Sequence, residues 1–130
     1  MSLSLVWDSD LLFHAEGGPA LNLASSSPDA YSPMQLLAHA IMGCMAMDVV
    51  HILKKGRHDL QGMTISFEGE RAAEHPKRYV KVHLIFNITG NVPLDAVERA
   101  IALSHETYCS VSNTLRADME FTTSVMISAR

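Results

Sequence analysis

The stretch from Pro33 to Lys55 constrains the fold more than any other part of the chain. Ser32 followed by Pro33 is a helix N-cap and first-turn signature, while Lys54 and Lys55 before Gly56 suit a helix C-terminus. Between these ends lie Leu36, Leu37, Ile41, Met42, Met45, Met47, Val49, Val50, Ile52 and Leu53, apolar on nearly every side of a cylinder. A helix of that kind requires burial on most of its circumference. Gln35, His39, Asp48 and His51 interrupt it at separated depths, which argues against a membrane span and against a membrane partner. It would be about 34 Å long. A chain of 130 residues has difficulty surrounding such a rod with one domain, so a second copy, a homodimer, is expected.

The flanking segments read as strands and one shorter helix. Residues 3–7 and 11–15 are two short strands around Asp8-Ser9-Asp10, and Leu21 and Leu23 mark a third. Met63, Ile65 and Phe67 alternate with polar residues, as do Val80, Val82, Leu84, Phe86 and Ile88 over 79–89, with residues 70–78 as the connecting hairpin loop. Pro93 begins a helix to about Thr107, with Leu94, Val97, Ala100, Ile101 and Ser104 on one face. Cys109 to Asn113 form a turn that opens another helix toward Ala117, and residues 119–127 finish as a strand. Segregated strands and helices define an α+β class, in one domain over residues 1–130.

Charge narrows the function. Residues 1–53 contain no Lys or Arg, so an N-terminal secretory or mitochondrial signal is not expected and a cytoplasmic location is. The formal net charge of −4 and the absence of a long basic run disfavour nucleic acid. No Gly-rich phosphate loop supports nucleotide chemistry. Hydrophobic residues at 48% and charged residues at 18% fit a soluble, folded domain.

Chemistry concentrates in two cysteines, Cys44 and Cys109, without zinc-type spacing. In a reducing compartment they are either packed core thiols or a redox pair. On a helix, Leu37, Ile41, Met47, Asp48 and His51 share the side of Cys44. That apolar setting, with a carboxylate one turn on, favours the thiol over the thiolate unless a cation comes from elsewhere. His39 and His51 could donate protons, or with Asp48 bind a metal, but their spacing fits hydrogen-bonded histidines better. Met42 and Met45 flank Cys44 on opposite sides and suit helical core packing rather than copper binding.

The residues Ser32-Pro33-Met34-Gln35-Leu36-Leu37, Gly43-Cys44, Asp48-Val49-Val50 and Ile52-Leu53-Lys54-Lys55 form one half of a pattern. Tyr79 to Gly90 and Tyr108-Cys109-Ser110-Val111-Ser112-Asn113 form the other. Together they resemble the OsmC/Ohr family of osmotically inducible and organic hydroperoxide resistance proteins, in a branch without an assigned substrate. The resemblance implies an OsmC-like intertwined homodimer built on paired central helices. It implies a thiol peroxidase, with Cys44 peroxidatic, Cys109 resolving, no bound cofactor or metal, and an external dithiol as reductant. Its partner molecule would be a small hydrophobic hydroperoxide. The family's peroxidases stabilise the thiolate with an N-terminal arginine held by a glutamate on the reactive helix. Here no Arg precedes Cys44, and Met34 stands at the glutamate position, leaving Arg71, Arg78 and Arg116 as candidate substitutes. A second reading therefore stands beside the first: a non-peroxidatic binding or redox-sensing protein for a hydrophobic or thiol-reactive ligand.

Overall fold

The computed structural model describes residues 1–129. Its backbone divides into two compact units, Met1–His39 and Ala40–Arg130. The first holds an antiparallel sheet of β1 (Ser4–Ser9), β2 (Leu12–Glu16) and β3 (Asn22–Ala24), in that spatial order. Leu5 pairs with Ala15, and Trp7 with Phe13, which in turn pairs with Leu23, so these side chains share one apolar face. Trp7 is 64% exposed on that face.

Helix α1 spans Pro33–Lys55, with the boundaries expected. Ser32 and Gln35 form a reciprocal capping box: the Gln35 N–H donates to Ser32 Oγ at 3.2 Å, and the Ser32 N–H donates to Gln35 Oε1 at 2.9 Å. At the other end the His58 N–H reaches the Leu53 carbonyl, and the Arg57 N–H the Lys54 carbonyl, both at 3.0 Å. This is a Schellman ending, and its left-handed residue is Arg57 (φ 61°) rather than Gly56.

The second unit is built on the three-stranded sheet β4 (Asp59–Arg71), β5 (Tyr79–Asn91) and β6 (Glu120–Ser128). β5 is central, antiparallel to β4 and parallel to β6. β4 runs to Arg71, so the hairpin loop is 72–78, shorter than expected from the charged run. Val82, Leu84, Phe86 and Ile88 of β5 are buried, and Met63, Ile65, Phe67, Phe121, Val125 and Ile127 lie beside them on the same face. Ion pairs of Lys81 with Glu70 and Glu120 mark the opposite, solvated face.

Ile41, Met45, Val49 and Leu53 form one buried stripe of α1, and Val97, Ala100 and Ile101 another on α2 (Leu94–Leu103). Leu94, expected on that inner face, is exposed, as first-turn positions often are. Burying each of these side chains other than that of Ala100 contributes about 1.5–3 kcal/mol before the cost of ordering the chain. α1 thus buries one stripe in this chain, not most of its circumference: Met47 is 74% exposed, and among the described residues nothing beyond the helix's own backbone lies within 4 Å of where a Cβ at Gly43 would sit.

Candidate thiol site

The expected second helix runs to Tyr108, but its last turn, Ser104–Tyr108, is π-helical. The Cys109 N–H bonds to the Ser104 carbonyl at 2.7 Å, five residues back. Such turns are frequent at functional sites. Cys109 then caps α3 (Ser110–Thr114), which ends short of the expected Ala117. The Asn113 side chain clamps the junction, donating to the Cys109 carbonyl at 2.8 Å and the His105 carbonyl at 3.0 Å.

These constraints bring Cys109 onto Cys44. Both are free thiols, Cys44 half-buried and Cys109 fully buried. The Cys44 side chain lies close enough to perturb the Cys109 thiol. Burial pushes the Cys109 thiol above its ordinary range. Ser112, whose N–H donates to Sγ at 3.3 Å, pulls it back, and the Cys44 thiol raises it further.

Ser104, fully buried, donates through Oγ to Asp48 Oδ2 at 2.8 Å. This bond ties α1, one turn beyond Cys44, to the π turn that carries Cys109. Neither Ser104 nor Asn113 stood out in the sequence as a site residue. The available signal was Ser104 itself, a hydroxyl on an inward face, since a buried hydroxyl needs a partner.

The candidate arginines are engaged elsewhere. Arg116 makes a fork to Asp118 at 3.0 and 2.8 Å, and Arg78 Nη2 lies 3.6 Å from the same carboxylate. Asp118 is accordingly held below the usual carboxylate range, mainly by Arg116. Arg71 donates to the Lys77 carbonyl at 2.7 Å. Among the described residues, none of the three contacts Cys44.

His39 meets the Tyr31 ring edge-on at 4.8 Å. His51 lines a groove of about 290 Å³ with Asp48, Ile52, Lys55 and Tyr108. A separate cleft of about 300 Å³ lies along α2 and β6, where His105 stacks on Phe121 at 4.4 Å. Met45 is buried in the core and Met42 partly so.

A two-sheet α+β fold with a cysteine in the long helix facing a second one after the next helix defines a class of thiol proteins. The chain belongs to the OsmC-like protein family, whose pattern matches residues 26–124. It is 37% identical to protein YhfA of Escherichia coli K12, with 99% of each chain covered. A hypothetical protein from Aquifex aeolicus superposes with a TM-score of 0.91 at 28% identity, covering 99% of this chain and 96% of that one. An organic hydroperoxide resistance protein OsmC from Legionella pneumophila shares the fold, with a TM-score of 0.72 at 24% identity and 96% of each chain covered.

Proposed function

We propose that this protein is a cytoplasmic thiol-dependent peroxidase that reduces organic hydroperoxides and works as a homodimer. The observation that carries the reading is the proximity of two free thiols, the half-buried Cys44 and the buried Cys109 whose titration it perturbs. The accessible thiol is the one that meets substrate. The Cys44 thiolate attacks the terminal oxygen of ROOH, the O–O bond breaks, and RO⁻ leaves as ROH after taking a proton. Cys44 is then a sulfenic acid. The Cys109 thiolate displaces its hydroxyl, which leaves as water, and the Cys44–Cys109 disulfide forms. An external dithiol returns two electrons and two protons and is released as its own disulfide.

The dimer is supported by what this chain leaves uncovered on α1. Ala40, Gly43, Met47, Val50 and Lys54 lie along one face, opposite the buried stripe. Cys44 lies at the border between the two. Sedimentation of wild type and Met47→Asp tests this: the variant dissociates, and an unshifted dimer would remove that face from the interface.

A second reading has its own observation. No cation touches Cys44 among the described residues, which favours a binding or redox-sensing role over fast peroxide reduction. Turnover decides between them. The protein is mixed with cumene hydroperoxide and dihydrolipoate beside Cys44→Ser and Cys109→Ser. Loss of turnover in Cys44→Ser supports the peroxidase; wild type no faster than Cys44→Ser rejects it.

A further inference from the structure

We propose that the groove lined by Asp48, His51, Ile52, Lys55 and Tyr108 is a subsite for the head of an aliphatic carboxylate, whose chain runs toward Cys44. As a claim about the hydroperoxide, it rests on the peroxidase reading. As a claim about ligand binding, it does not.

The argument begins with the helix. At 100° per residue, Asp48, His51 and Lys55 lie within about 40° of Cys44, on one line along α1. The rise of 1.5 Å places them about 6, 10 and 16 Å beyond it. The groove therefore starts one turn from the thiol and continues to the end of the helix. Ile52 and the exposed ring of Tyr108, the residue before Cys109, give it an apolar wall.

Its charges are ordered. Asp48 sits at the thiol end, held by Ser104 at 2.8 Å, and repels an anion placed there. Lys55 and His51 sit at the far end, where an ammonium and an imidazole can donate charge-assisted bonds to a carboxylate. The helix end beside them does not oppose an anion strongly. The Ile52, Leu53 and Lys54 carbonyls already accept from Gly56, His58 and Arg57, each at 3.0 Å. A ligand with an acidic head and an alkyl chain fits in one direction only, head at Lys55 and chain toward Cys44.

The spacing also sets a length. An extended chain advances about 1.25 Å per bond given C–C bonds of about 1.5 Å, so the 10–16 Å from Cys44 corresponds to roughly 8–13 bonds. The favoured hydroperoxide carries its peroxide about that far from its carboxylate.

The binding test uses a non-peroxide probe, dodecanoate, against dodecanol, read as protection of Cys44 from alkylation by N-ethylmaleimide. Dodecanoate is expected to protect at about tenfold lower concentration than dodecanol. In Lys55→Gln, with His51→Asn as a second variant, that advantage disappears while dodecanol is unaffected. Equal protection by both probes, or an advantage that survives both substitutions, overturns the subsite even if cumene hydroperoxide is turned over. Turnover extends the test. For a long-chain hydroperoxy acid, Lys55→Gln raises KM about tenfold and leaves kcat unchanged, whereas its methyl ester and cumene hydroperoxide are indifferent. An equal effect on acid and ester overturns the proposal. Carboxylate-dependent protection without turnover of any peroxide would uphold the subsite and reject the peroxidase.

Discussion

The bond from Ser104 Oγ to Asp48 Oδ2 gives the strongest quantitative expectation. Ser104→Ala deletes one oxygen at a fully buried position and leaves the carboxylate without that donor. Hydrogen bonds to charged groups are worth about 1.5–3 kcal/mol. Asp48 is half-exposed and can recruit water for its freed oxygen, which places the loss near 2 kcal/mol. For a chain of this length about 1 kcal/mol corresponds to roughly 4 °C, so Tm should fall by about 8 °C at fixed protein concentration. A cavity would produce a similar number, so the assay is a double-mutant cycle with Asp48→Ala. A real bond gives a coupling energy of about 1 kcal/mol or more. The same cycle is read a second time in the rate of Cys44–Cys109 disulfide formation, which slows in either single variant and little further in the double. Additivity within about 0.3 kcal/mol, with an unchanged disulfide rate, would refute the claim that this bond positions the thiols.

Other positions in the fold carry consequences of their own. Phe86 is fully buried on the central strand, so Phe86→Ala should cost about 3–5 kcal/mol in denaturant unfolding with little change in m. Arg57 occupies a left-handed conformation at φ 61°, so Arg57→Gly should stabilise the chain by about 0.5–1 kcal/mol, and a loss of stability would discount strain at that cap. Burial raises the Cys109 pKa above its ordinary 9.0, so below that pH the folded and unfolded thiols are both protonated and the protein has full stability from this group. As pH rises above 9.0 the unfolded thiol ionises first and stability falls until the folded thiol ionises too. Cys109→Ala should flatten that part of the stability profile, whereas an unchanged slope would exclude Cys109 as its source.

The sequence was most legible where one periodicity and one pair of end signals acted together. The limits of α1 followed from Ser32-Pro33 and Lys54-Lys55, and β5 from five alternating apolar positions. The α1 stop was misplaced by one residue in mechanism, because the Schellman bonds close on Arg57 as the left-handed residue where propensity favours Gly56. The two cysteines were legible as candidates and illegible as a pair, since a separation of 65 positions carries no distance. Their contact depends on a hydroxyl and an amide, those of Ser104 and Asn113, whose types are common in any loop or helix.

The π turn explains why local patterning could not place the second thiol. Along a regular helix, the inward line of Val97, Ala100, Ile101 and Ser104 continues at the fourth residue after Ser104, which is Tyr108. That register would turn the ring inward and rotate Cys109 about 100° away from α1. In the structure the bond from Cys109 to the Ser104 carbonyl spans five residues, and the added residue exchanges the two positions. Cys109 is fully buried and Tyr108 is 59% exposed on the groove. One inserted residue thus accomplishes two things: it delivers a thiol to the side of Cys44 and a ring to the wall of the groove beside Asp48 and His51. Because Ser104 supplies both the carbonyl that closes this turn and the hydroxyl that grips Asp48, the register of the π turn is fixed directly to the helix that carries Cys44.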